Sequence, residues 1–203
     1  ITKKMLTPDA KEYLNLADGD KAALKHLVKD AYILEKINMQ IDAHENLDFK
    51  DFLEREIKKG NKQAKLTKIL FDAQKGINAI DNMSTVINLA KGVPTRAGKG
   101  VYPADLSKEE FHSILNRMLD AGEIDKVKKI LTQHTVVERD GVNLIGIEYV
   151  DKWAKDFSLM ADELEKAAET STNIDFNEYL KLQAKALRTA DSMLDAYADK
   201  KWA

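Results

Sequence analysis

Asp20-Lys21-Ala22-Ala23-Leu24-Lys25-His26-Leu27-Val28-Lys29-Asp30-Ala31-Tyr32-Ile33-Leu34 sets the fold class. Leu24, Leu27, Val28, Ala31 and Leu34, and farther on Ile41, recur at intervals of three, four and seven, which lines one face of an α-helix. Asp20 is placed to cap that helix, and the pattern extends to about Glu45. The same period continues on both sides. Thr7-Pro8-Asp9 is a helix entry into residues 10–17, with Gly19 as the stop. Asp48 opens a helix through Phe52, Leu53 and Ile57 that Gly60 ends, and Asn61 opens another with Leu66, Ile69, Leu70 and Ala73 on one face. Residues 77–90 read as a weaker helix carrying Ile80, Met83, Ile87 and Leu89.

Composition agrees with a helical chain. Apolar residues are 44% of the 203 and charged residues 33%, with only nine Gly and three Pro. So few turn formers exclude a collagen-like or linker-like chain and argue against an all-β fold. A chain of this length buries roughly 70% of its unfolded surface, so neither disulfides nor a metal is needed for stability. Lys and Arg total 32 against 34 Asp and Glu, a net charge of −2, which supplies no global field for nucleic acid or an anionic membrane. The lack of Cys removes thiolate metal sites and a cysteine nucleophile, and leaves cytoplasm and bacterial periplasm equally open. No apolar run is long enough to span a bilayer. The chain starts at Ile1 and closes on Lys200-Lys201-Trp202-Ala203, the expected edges of a piece of a longer protein.

Residues 91–103 hold three Gly and two Pro and form an extended loop, so 91–104 is the candidate subdomain boundary within one helical domain, 1–203. Ser107 and Glu110 make a capping box ahead of Phe111, Ile114, Leu115 and Met118. Gly122 ends that helix, and a short one follows to about Gln133. Residues 135–139 and 142–147 flank Asp140-Gly141, the dipeptide of a two-residue hairpin turn. Two helices then close the chain, one over 149–170 and one from Asp175 through Leu187, Leu194 and Tyr197. The expected fold is all-α, an irregular multi-helix bundle with one small β-hairpin near 135–147.

Catalytic motifs fail on spacing. His44-Glu45-Asn46-Leu47-Asp48 begins like a zinc-peptidase helix, but Asp48 stands where the second His belongs. Counted from Gly92, the second phosphate-loop Gly would fall at Ala97, and Gly98-Lys99 is followed by Gly100 in place of the hydroxyl. Asp175 to Glu178 resembles the exit of a calcium loop, yet Ala167 and Thr172 fall where a carboxylate and a Gly are required. No Gly-x-Ser-x-Gly elbow exists.

Tyr102-Pro103-Ala104-Asp105-Leu106, followed by Glu110-Phe111, resembles the YP-x-D-hydrophobic … EF segment of the dipeptidyl peptidase III family of zinc metallopeptidases. Tyr179-Leu180-Lys181-Leu182-Gln183-Ala184-Lys185-Ala186-Leu187, with Asp191, Tyr197, Asp199 and Trp202, is similar to that family's FL-x-x-R-A-x-A-L … D-Y … D-x-x-W stretch. Gln183 replaces the commoner Arg, and Lys200-Lys201 interrupt the usual small or apolar pair. The resemblance is fuller over 95–203 than over 1–94.

The resemblance implies a zinc-dependent hydrolase whose H-E-x-x-G-H helix lies outside this chain, which has no such motif. This chain is then the N-terminal helical portion, without catalytic or metal residues of its own. Its partners are a C-terminal catalytic lobe of the same protein and a peptide substrate, with Tyr102 and Asp105 as candidate contacts in the cleft wall. Residues 190–203 are expected to expose apolar surface toward that lobe, or to be covered by self-association in the isolated chain. The alternative is a free-standing helical module that binds a protein partner in a groove between helices.

Overall fold

The computed structural model describes residues 7–80, 86–93 and 98–202. Their elements, in chain order, are α1 (Lys11–Leu14), α2 (Asp18–Asp42), α3 (Asn46–Lys58), α4 (Lys62–Gln74), β1 (Asn78–Ile80), β2 (Val86–Asn88), a single 3-10 turn (Lys99–Val101), α5 (Lys108–Asp120), α6 (Ile124–Ile130), β3 (Thr135–Asp140), β4 (Asn143–Glu148), α7 (Tyr149–Lys152), α8 (Ala154–Thr170), α9 (Ile174–Thr189) and α10 (Ser192–Trp202). The fold is mostly helical, as expected. It divides into two compact units. One takes the chain up to Leu34 together with Trp153 onward, and the other is Glu35–Lys152. The 91–104 stretch lies within the second.

In the first unit α8 and α9 pack along their lengths. Ala161, Ala167, Ala168 and Ala184 are buried with Ala23, Leu164 and Leu180, and side chains this small let helix axes approach closely. Asp20 sits in the first turn of α2, and its carboxylate accepts from Thr172 N at 2.8 Å, Thr172 Oγ1 at 2.8 Å and Ser171 Oγ at 3.1 Å. Asp20 is therefore not a cap for its own helix, and Gly19 is not a stop, because α2 begins one residue before it. Asn173 caps α9, two residues ahead of the expected start at Asp175, its Oδ1 accepting from Phe176 N at 3.1 Å. The two closing helices expected from the pattern are four. Trp153 (φ −116°, ψ 36°) interrupts the first, and Ala190, left-handed at φ 53°, separates α9 from α10. Neither break uses Gly or Pro, so nothing local announced it.

The second unit is organised around Asn46, which is fully buried. Its Nδ2 donates to the Met39 carbonyl at 2.7 Å and its Oδ1 accepts from Ile77 N at 2.8 Å, tying α2, α3 and the chain after α4 together. Leu53, Ala64, Phe71 and Ile77 form one core around it. A second core joins Ile114, Leu115 and Met118 of α5 to Val127 and Ile130 of α6 and to Val137 and Leu144 of the hairpin. Where a helix was expected over 77–90, Asn78–Ile80 and Val86–Asn88 are strands. β1 and β2 pair antiparallel, Asn78 opposite Asn88 and Ile80 opposite Val86, while Met83 lies outside the described residues. Strands of three residues are too short to show alternation. On α4 the expected apolar stripe is the exposed face, and Ala64 and Phe71 are the buried one.

The β3–β4 hairpin forms where expected, with its turn one residue later. Asp140 pairs with Asn143, so the central residues are Gly141-Val142, and Gly141 takes the required positive φ of 59°. Ser107 caps α5, Oγ accepting from Glu110 N at 3.0 Å. The Glu110 side chain does not close the capping box but goes to Arg139.

Candidate functional site

Tyr102 and Asp105 follow the glycine-rich loop of the second unit, whose residues 94–97 lie outside the described set. The loop's last turn is fixed to the end of α2. Gly100 lies so close to it that a Cβ there would stand 1.7 Å from the Gln40 carbonyl oxygen. Lys99 is left-handed at φ 52° and its Nζ reaches Asp42 at 3.5 Å. His44 Nε2 donates to the Tyr102 carbonyl at 2.7 Å. The half-buried Tyr102 ring meets Phe111 edge to face, centroids 5.5 Å apart. Tyr149 lies near enough that burial, and secondarily Tyr102, push its hydroxyl's pKa up.

Asp105 is exposed but not idle. Arg139 Nε donates to its two oxygens at 3.1 and 3.3 Å, and the same guanidinium makes a forked pair with Glu110 at 2.8 and 3.0 Å. The Arg139 hydrogen bonds hold both carboxyls below their ordinary values. The corner thus offers an aromatic wall beside a positioned carboxylate.

The four histidines are spent separately. His26 Nδ1 lies 2.7 Å from Glu163 Oε2, His44 bonds the Tyr102 carbonyl, His112 abuts Phe111, and His134 abuts Tyr149. Among the described residues no three His, Asp or Glu side chains are grouped to hold a metal ion, so the donor set does not fit a catalytic zinc. No described helix is long and apolar enough to cross a membrane.

Sequence reasoning missed a polar cluster in the first unit. Glu163 of α8 accepts from Lys166 at 2.9 Å and pairs with His26, and Lys29 is 3.5 Å away. These hydrogen bonds, Lys166 first, pull its pKa down to about 2. Asp30, one turn along α2 from His26, is pushed up to about 6 by burial and then by the Glu163 charge. His26 and Glu163 are 137 residues apart, a separation at which no sequence spacing signals contact. A shallow cavity of about 180 Å³ in the second unit is lined by Met118, Glu123, Lys126, Lys129 and Asn143. Its lysines are paired, Lys126 with Glu123 at 2.6 Å and Lys129 with Glu148 at 3.4 Å.

At the chain's end Met193, Tyr197 and Trp202 are 59%, 55% and 69% exposed. Trp202 still touches Tyr179 and Phe176, with ring centroids 5.4 and 6.2 Å apart. Leu187 and Leu194 are half-buried.

The described residues, mostly helical with two small antiparallel sheets, have the fold of part of a dipeptidyl peptidase III chain. The structure of DPP III from Caldithrix abyssi matches 92% of this chain with a TM-score of 0.76 at 22% identity. That of dipeptidyl-peptidase III from Corallococcus sp. strain EGB matches 91% with a TM-score of 0.74 at 18% identity. The chain spans about a third of the length of both, 33% in each case. No family model and no curated protein matches it.

Proposed function

We propose that this chain is a non-catalytic helical part of a dipeptidyl peptidase III-like, zinc-dependent peptidase, supporting the catalytic lobe and walling one side of the substrate cleft. The observation that carries this is the extent of the fold likeness, 92% of this chain against 33% of the Caldithrix abyssi structure. Among the described residues no donors are grouped for zinc, so in this reading residues elsewhere in the parent hold the metal and the chemistry. Tyr102 and Asp105 serve as contacts. Tyr102 is braced by Phe111 and His44, and Asp105 keeps acceptor capacity beyond its bonds to Arg139. The exposed surface of Met193, Tyr197 and Trp202 faces the remainder of the protein, as large apolar patches mark interfaces.

The test is the intact product of the source gene beside these 203 residues alone. The expected result is zinc-dependent release of dipeptides by the intact product, and neither stoichiometric zinc nor peptidase activity in the shorter chain. A tight zinc site in the 203 residues, or an intact product with no zinc and no dipeptide release, overturns the reading.

A further inference from the structure

Helix α4 is apolar on two opposite faces. Ala64 and Phe71, seven positions apart, are buried in the second unit's core. At about 100° per residue, Leu66, Ile69, Leu70 and Ala73 lie on the other side of the axis. There Leu66 is 59% exposed, Ile69 59% and Leu70 53%, and Ala73 is exposed as well. Large apolar side chains left together on an exposed stripe mark an interface.

The charges beside this stripe suit a second copy of the same helix. Lys65 and Asp72 lie on the same flank, about 20° apart around the axis and two turns apart along it. In two identical helices stacked antiparallel about a twofold axis, like flanks meet with their directions reversed. Lys65 of one copy then faces Asp72 of the other, and the pair occurs twice. Leu66 meets Leu70 across the axis, and Ile69 meets its own copy. We propose that two copies of this chain associate through antiparallel α4 helices along Leu66, Ile69 and Leu70, closed by reciprocal Lys65–Asp72 ion pairs. Twofold pairing is the commonest symmetry of identical chains. Asp72 accepts Lys68 Nζ within its own helix at 2.8 and 2.9 Å, and its side chain is 50% exposed, which leaves acceptor capacity for a second donor. The stripe is small beside the ~800 Å² per partner of a standard stable interface, so the dimer is weak and concentration-dependent. This inference does not depend on the peptidase reading.

Sedimentation velocity of the chain from ~10 µM to ~1 mM tests it, with circular dichroism checking that each variant is folded. The mass should rise toward twice the monomer, and Leu70→Glu should abolish the rise. Lys65→Glu and Asp72→Lys should each weaken self-association by about tenfold or more, since like charges then oppose each other twice. Mixed together, those two variants should pair again, because each supplies the charge the other lacks. A monomer at every concentration, a dimer indifferent to Leu70→Glu, or two charge variants that do not recover on mixing would each overturn the proposal.

Discussion

Asp30 and Glu163 are two carboxyls within electrostatic reach that titrate in opposite directions. Asp30 has one oxygen buried without a hydrogen-bond partner, and burial followed by the Glu163 charge lifts it from 3.8 to about 6. The folded chain therefore holds that proton more tightly than the unfolded chain, and this group's contribution to stability falls as pH rises from about 4 to 6. Glu163, lowered from 4.5 to about 2, contributes stability above about pH 4.5 that is lost as pH falls toward 2. Asp30→Asn should stabilise the chain near pH 7.5, by ~1–2 kcal/mol once solvent screening of this partly exposed group is allowed for, and do little near pH 4, read by urea titration at both. An equal gain at both pH values would assign the effect to packing rather than charge. Gly100 poses a steric case at the same scale. With the Gln40 carbonyl 1.7 Å from the position of any Cβ, Gly100→Ala forces the loop off α2 and should cost ~2 kcal/mol or more in thermal or urea unfolding.

Element boundaries show which signals a sequence carries. The Ser107 cap and the β3–β4 hairpin were legible because short-range chemistry fixes them: a hydroxyl three residues from an amide, and a Gly that takes φ 59° without the strain a side chain adds. Gly141→Val should therefore cost ~1 kcal/mol or more and leave the helices intact by circular dichroism. The break between α9 and α10 was not legible, since Ala190 takes a left-handed conformation that its side chain disfavours. Ala190→Gly should relieve it and stabilise the chain by ~0.5–1 kcal/mol in urea titration, and a loss would mean the methyl group is needed for packing. The α4 stripe shows the limit of periodicity. The period placed Leu66, Ile69, Leu70 and Ala73 on one face, but which face a helix buries depends on neighbours that no period names. The candidate corner was readable to the same degree. Tyr102 and Asp105 could be picked out, whereas the Arg139 fork on Asp105 and Glu110 spans 34 and 29 positions and left no local trace.

For the molecule as a whole, the two units predict separable responses to local damage. Asp20 receives three hydrogen bonds from Ser171 and Thr172, all inside the first unit. Asp20→Ala should raise amide hydrogen exchange in the first turn of α2 and around the α8–α9 turn, and leave β3 and β4 of the second unit protected. Exchange rising uniformly through both units would instead show that they open as one cooperative body.

The first unit draws its residues from both ends of the chain, and this sets an order of events during synthesis. On the ribosome Asp20 emerges 152 positions before Thr172, a wait of ~8–30 s at ordinary elongation rates. Residues 35–152 are all made within that interval, so the inner segment completes its own packing while the opening segment, with Ala23 and Leu27, still lacks the helices that bury it. Nascent chains stalled with Lys152 just outside the exit tunnel should be cut by protease within residues 7–34 and spared across α5 to β4; equal cutting in both would contradict that birth order.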